Sequence, residues 1–389
     1  MRKPDHMGST ALLVIVVATA LAFDFTNGFH DSANAVGTAV ATGALRPRLA
    51  VLLSAVLNVV GAFLSIKVAT TIAKGIIDSG QVTLTIISAA LLGAIAWNLV
   101  TWLLGLPSSS THALIGGLIG AMLVAVGSSA VHWRGVLGSV VIPALFAPVA
   151  AGIIAALATW IAYRALRGVP EETGRRSYRW GQLGSASLVS LAHGTNDAQK
   201  TMGVITLALV AHGSLPAKGF GVPWWVIIAA ATAMGLGTYA GGWRIIRTLG
   251  HRITDITPPQ GFSAETAGGT VILASSFFGY PLSTTHVVSG GVLGSGLGRR
   301  AAVRWGVAGQ ILIAWVLTLP AAAGCAAGAY ALIDAFGTAR TTGAIVATAA
   351  AAAVYVVLFL VSRRDPVNAS NVNPERRARP AVEPARRAA

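Results

Sequence analysis

Two short clusters of hydroxyl, imidazole and carboxylate groups each occur twice in an otherwise apolar chain. Pro107-Ser108-Ser109-Ser110-Thr111-His112, followed by Gly116, Gly117 and Gly120, is answered by Pro281-Leu282-Ser283-Thr284-Thr285-His286, followed by Gly290, Gly291 and Gly294. Upstream of each lies a carboxylate cluster, Gly28-Phe29-His30-Asp31-Ser32-Ala33-Asn34 and Gly194-Thr195-Asn196-Asp197-Ala198-Gln199-Lys200. Pro and Ser/Thr suit the start of a helix, and a helix N-terminus lined with hydroxyls attracts anions. An ionised carboxylate at bilayer depth costs at least ~2.5–3.5 kcal/mol, so Asp31 and Asp197 require a cation, a proton or a fixed partner. Together these groups describe a cavity for a small tetrahedral oxyanion accompanied by a cation. Ser/Thr runs in membrane helices more often act as packing glue, but duplication alongside Pro, His and Gly argues for a site.

The elements that must position these groups are membrane helices. Hydrophobic residues make up 54% of the 389, charged residues 11%, and mean hydropathy is +0.70. The apolar runs have no polar face, and they are too long and unalternating for a barrel. The reading is an all-α integral membrane protein with about eleven (ten to twelve) transmembrane segments. The segments are 11–43, 49–73, 82–105, 111–128, 135–163, 183–211, 223–243, 263–279, 285–298, 303–333 and 341–362. The first and sixth exceed the ~20 residues a bilayer needs and contain the Gly/Asp clusters, which predicts helices broken there. The single Cys325 has no disulfide partner and reads as a small core residue.

Segments one to five pair with six to ten. Five is odd, so the second set enters the membrane inverted relative to the first. This divides the chain into a transmembrane repeat at 10–163, a cytoplasmic connecting loop at 164–182, a second repeat at 183–333, an extra helix at 341–362 and a disordered basic tail at 363–389. With the N-terminus outside, 20 of the 28 Lys and Arg residues fall on the inside, as the positive-inside rule asks. Arg2 and Lys3 run against that orientation. They also open a stretch that could pass for a signal peptide, although the second repeat has its own counterpart of segment one. The net charge of +15 then reflects topology and tail rather than nucleic-acid binding. A multi-pass protein of the cell membrane, in contact with lipid, is expected.

At these four blocks the chain resembles the inorganic phosphate transporter (PiT) family, above all its bacterial low-affinity permeases. The resemblance covers nearly all of residues 10–362. It implies a secondary transporter, commonly a homodimer, that moves phosphate inward with a coupling cation by alternating access and without a cofactor. Matched residue by residue, it carries substrate binding to Ser108, Ser110, Thr111, Asn196, Ser283, Thr284 and Thr285. It carries cation binding to Asp31, Asn34 and Asp197, with no resident metal.

Two positions depart from the family signature: His30 stands at its first Asn, and Lys200 at its last. An ammonium supplies no oxygen to sodium, so Lys200 can stand in for a bound cation. His30 is then a candidate proton carrier, which favours proton coupling, with neutral divalent metal phosphate as the transported species. His112, His193 and His286 read equally as orienting groups, and Glu265 as a weaker coupling candidate. Phosphate is preferred over sulfate because monohydrogen phosphate can donate a hydrogen bond to a carboxylate. Sodium coupling, a sulfate permease and a passive anion channel are the alternatives. Two near-equivalent half-sites, with no loop long enough for a catalytic domain, argue against an enzyme.

Overall fold

The computed structural model describes residues 6–216 and 221–373, which are predominantly helical. Among the described residues β structure is confined to two isolated bridges, Ile77 with Val131 and Thr254 with Val303. The helices in order are α1 (His6–Ala41), α2 (Pro47–Gly61), α3 (Lys67–Gly75), α4 (Leu84–Leu104), α5 (Ser110–Ala125), α6 (Trp133–Val136), α7 (Ile142–Ala165) and α8 (Glu171–His212). They continue with α9 (Trp224–Ala240), α10 (Trp243–Arg247), α11 (Pro258–Phe278), α12 (Thr284–Arg299), α13 (Trp305–Asp334) and α14 (Arg340–Ser362). A π-helical turn, Leu137–Val141, joins α6 to α7, and another, Thr248–Arg252, extends α10. Among the described residues five helices are long and apolar enough to cross a membrane, or six if the pair bent by 59° at residues 241–242 counts as one.

The predicted breaks in the first and sixth segments are not there. α1 runs for 36 residues and α8 for 42, each passing unbroken through its Gly/Asp cluster. The glycines serve close approach instead. A Cβ on Gly28 would lie 2.3 Å from the Met234 carbonyl oxygen of α9, and one on Gly194 would lie 2.2 Å from the Asn58 oxygen of α2. Breaks fall instead between α2 and α3, within the expected second segment, and between α9 and α10.

The hydroxyl clusters sit in two matching hairpins. α4 ends at Gly105 in the left-handed region (φ 67°), and α11 ends likewise at Gly279 (φ 82°), a conformation glycine adopts without strain. A short non-helical stretch follows in each. α5 and α12 then start inside the motif, where Ser109 and Ser283 cap them by accepting from the backbone N–H of His112 and His286 at 3.1 and 3.2 Å. Pro107 and Pro281 therefore precede the cap rather than occupying the first turn. α5 packs on α13 and α12 on α7, so each hairpin is backed by a helix from the other half of the chain.

The core gathers around α1, α4, α5, α8, α9, α11 and α12, while α7, α13 and α14 lie at the periphery. Only 11% of the most apolar window of α14 is buried, and its Val354, Val356, Val357 and Phe359 face outward, as lipid contact requires. Cys325 is likewise exposed on the outside of α13 rather than in the core, because that helix turns most of its surface to the surroundings. Residues 374–389 of the expected tail lie outside those described, but 363–373 are ordered. Arg244 donates to the carbonyls of Ser362 and Asp365, Arg247 to that of Asn371, and Asn373 to that of Val40.

Candidate functional site

Helical spacing on α1 sets Asp31 and Asn34 on one face, and on α8 it sets Asp197 and Lys200 on one face. The N-terminal turns of α5 and α12 each bond to both faces. The seven substrate candidates come together here with His30, Asp31, Asn34, Asp197 and Lys200, none more than 5% exposed, whereas Glu265, the weaker coupling candidate, does not join them. Each of the twelve except Ser283 belongs to a single hydrogen-bonded cluster, the hydroxyl oxygen of Ser283 being the α12 cap.

Lys200 is the hub. Its ammonium lies 2.8 Å from Asp197 Oδ2 and donates to Ser110 Oγ at 2.9 Å and Thr111 Oγ1 at 3.0 Å. Ser110 donates in turn to Asp31 Oδ2 at 2.6 Å, so one hydroxyl links a cation on α8 to a carboxylate on α1. Thr285 donates to Asp31 Oδ1 at 3.2 Å, and Asn34 donates to Thr284 and Thr285 at 3.3 and 2.9 Å. Asn196 donates to Asp197 at 2.9 Å and to the Leu282 carbonyl at 2.8 Å, and that carbonyl also accepts from Thr111 at 3.2 Å. The two half-sites are thereby stitched together.

His30 completes the α1 side. Its Nδ1 is 2.7 Å from Asp31 Oδ1, and its Nε2 is 3.2 Å from Thr101 and 3.4 Å from Ser108, with Thr101 and Ser108 2.7 Å apart. An imidazole bonded to a carboxylate on one nitrogen and to hydroxyls on the other is built to hold or pass a proton. The other histidines divide as follows. His193 lies 3.3 Å from Asp197 and 3.2 Å from Asn58, while His112 and His286 meet edge to face with centroids 4.7 Å apart. Asp31, His193 and Asp197 each bring one ligand atom within 4.8 Å of the others, a set able to hold a cation. The sequence places no resident metal there and leaves His193 open between an orienting group and a proton carrier.

Glu265 belongs to a second cluster further along α1. It accepts from Thr38 at 2.6 Å, Gln182 at 3.1 Å and Ser185 at 2.5 Å, and Thr42 donates to Gln182 at 2.6 Å. Thr42 also lines a cavity of about 810 Å³ whose walls include Arg167, Arg175, Arg179 and Arg299. Thr42 thus links the cavity wall through Gln182 to Glu265 and Thr38. Sequence reasoning missed Thr101, Gln182 and Ser185, polar residues that lie outside the duplicated motifs.

Hydroxyls of two helix N-termini, two carboxylates and one ammonium thus meet in one buried cluster. The profile of the phosphate transporter family matches residues 27–326. A probable low-affinity inorganic phosphate transporter of Mycobacterium bovis is 56% identical over 363 residues, covering 93% of this chain and 87% of that one. A protein of the same description from Bacillus subtilis is 45% identical over 333 residues, covering 83% and 97%. A solved structure, described as the sodium-dependent phosphate transporter, aligns at 26% identity with a TM-score of 0.70, over 83% of this chain and 99% of that one. On its sequence, its fold and the groups assembled at its centre, this multi-pass membrane protein belongs to the phosphate transporter family, a family of transporters rather than enzymes.

Proposed function

We propose that the chain imports inorganic phosphate across the cell membrane by proton symport with alternating access. In this reading Ser108, Ser110, Thr111, Asn196, Ser283, Thr284 and Thr285 bind the anion, and His30, Asp31, Asn34, Asp197 and Lys200 couple it to protons. The observation that carries the reading is Lys200. Its ammonium is bonded to Asp197 and to the hydroxyls of Ser110 and Thr111, contacts that support its standing in for a coupling cation. Sodium needs oxygen ligands and gains none from an ammonium, whereas the His30–Asp31 pair offers a carrier for a proton. A divalent metal accompanying phosphate would find oxygen and imidazole ligands in Asp31, His193 and Asp197.

The transmembrane architecture in this reading is two inverted repeats, 10–163 and 183–333, with about eleven segments and the eleventh outside the repeats. Support comes from the matched α4–α5 and α11–α12 hairpins, each capped by Ser and backed by a helix of the other half. The arginine-lined cavity draws its walls from residues 163–179, 251–259 and 299, the loops expected inside. It is the cytoplasmic vestibule of the cycle, and the Glu265 cluster is its closed gate.

Radiolabelled phosphate uptake into proteoliposomes, with pH and sodium gradients imposed separately and sulfate as competitor, tests the proposal. Concentrative, sulfate-resistant uptake under the pH gradient alone is the expected result. Accumulation that follows sodium and ignores pH would overturn the coupling, and flux that never concentrates phosphate would make the protein a channel.

A further inference from the structure

α1 carries polar residues at Asp24, Asn27, Asp31, Asn34 and Thr38. Spacings of three and four place them on one helical face. The last three are bonded as described above. The first two are not: both carboxylate oxygens of Asp24 and both amide heavy atoms of Asn27 are buried without a hydrogen bond, and so is the hydroxyl of Thr201 on α8. Asp24 is 0% exposed and lies near the middle of the Thr10–Ala41 span. Asn27 and Thr201 are the polar side chains that face it, and Lys200 and Asp197, both on α8, are the charged groups that act on it.

Lys200 does not pair with Asp24 here, because its three N–H donors are taken by Asp197, Ser110 and Thr111. The other helices packed on α1 bring no substitute. α4 has no acidic or basic residue, Arg48 of α2, Arg252 of the π-helical turn after α10 and Tyr239 of α9 are exposed, His251 of that turn is 2.7 Å from Asn373 Oδ1, and Tyr355 of α14 donates to the Leu92 carbonyl. The arginines of α10 hold residues 362–371, Glu265 of α11 is bonded to Thr38, and His112 of α5 and His286 of α12 pack on each other. An ionised carboxylate with no partner at this depth is far costlier than a neutral acid, whose O–H can turn to Thr201 or Asn27.

We propose that Asp24 is a proton-binding site of the transport cycle, protonated while Lys200 is paired with Asp197 and ionised once the ammonium turns toward it. The proton leaves as H⁺ and Lys200 keeps its charge, so Lys200 alternates between two carboxylates while Asp24 alone gains or loses a proton. Occupancy by a proton needs no prior assumption about coupling; its use in transport rests on the proton-symport reading.

Infrared spectroscopy of the reconstituted full-length protein tests occupancy. A carboxylic-acid C=O band that shifts in D₂O is expected in the wild type, absent in Asp24→Asn and displaced in Asp24→Glu. A spectrum unchanged by both substitutions overturns the proposal, as does a wild-type band that disappears when sodium is raised at constant pH. Where Asp24→Asn fails to fold, the displaced band of Asp24→Glu decides.

Transport tests the second half. One proton per cycle lets a gradient of one pH unit concentrate substrate up to about tenfold. Asp24→Asn should lose that accumulation and Asp24→Glu should retain it. Wild-type accumulation in Asp24→Asn would remove Asp24 from the cycle. If the wild type itself ignores the pH gradient, the symport reading fails while the infrared result still decides whether Asp24 holds a proton.

Discussion

Lys200→Met would remove the hub of the central cluster while keeping most of its volume. In the wild type the ammonium sits 2.8 Å from Asp197 with both side chains 0% exposed. Without it, Asp197 keeps Asn196 at 2.9 Å and His193 at 3.3 Å, but no fixed positive charge. Breaking one side of a buried ion pair typically costs about 3–5 kcal/mol, because the remaining charge is left without compensation. Asp197→Asn alone should cost less, since the stranded ammonium still reaches Ser110 and Thr111. The double variant removes both charges, so its loss should fall short of the sum by roughly 2–3 kcal/mol. Equilibrium unfolding of all four proteins in mixed micelles measures the cycle. Additivity within ~0.5 kcal/mol would refute the reasoning, because it would mean that Lys200 and Asp197 do not depend on one another. A companion substitution, Lys200→Asn, restores an oxygen ligand in place of the ammonium. Uptake that becomes sodium-dependent is the expected outcome, and unchanged coupling would count against the built-in cation.

Three further tests follow from the same geometry. Thr111→Val and Thr285→Val each remove one hydroxyl of the cluster and should cost about 1–2 kcal/mol of substrate binding, a roughly 5- to 30-fold rise in KM; unchanged kinetics would move the anion elsewhere. Asp31→Asn keeps the side-chain shape but removes the charge shared by His30, Ser110 and Thr285; uptake should be abolished while the protein still purifies as a folded species. Gly294→Ala would set a Cβ 1.9 Å from the Gly152 carbonyl oxygen, whereas one on Gly306 meets nothing within 4 Å; thermal stability should fall for Gly294→Ala and hold for Gly306→Ala.

The half-sites were legible in the sequence because their chemistry is foreign to its surroundings. Hydroxyls, histidines and carboxylates stand out against apolar segments, and their repetition marked them as parts of one site. The helix breaks were misplaced because Gly28 and Gly194 read equally as flexible points and as contact points, and only a neighbouring backbone distinguishes the two. Gln182, Ser185 and Glu265 reach one another from two helices, and no local pattern announces such a meeting. Asp24 and Asn27 did leave a trace, the three-and-four spacing that continues through Asp31, Asn34 and Thr38. It went unread because the duplicated motif begins only at Gly28. The mismatch at the last position of the two carboxylate clusters, Asn34 against Lys200, proved the most telling residue difference, since the structure places that lysine where both halves converge.

The Glu265 cluster yields a sharper test of how the site is closed toward the arginine-lined cavity. Between Thr42 at the cavity and Asn34 at the site stand Thr38, Gln182, Ser185 and Glu265, and three hydrogen bonds to one carboxylate hold them together. Hydrogen bonds to a charged group contribute about 1.5–3 kcal/mol each. Losing even ~1.4 kcal/mol of closure raises the open population about tenfold. With Cys325→Ser as background, Asn34→Cys becomes a reporter that a water-soluble thiol reagent reaches only through the opening. Adding Glu265→Ala should accelerate labelling by tenfold or more, while Glu265→Gln, which can re-form bonds with turned hydroxyls, should accelerate it less. Labelling that is equally slow in all three backgrounds would show that closure comes from helix packing. Acceleration in Glu265→Ala alone would assign the gate to the hydrogen bonds themselves rather than to the carboxylate charge.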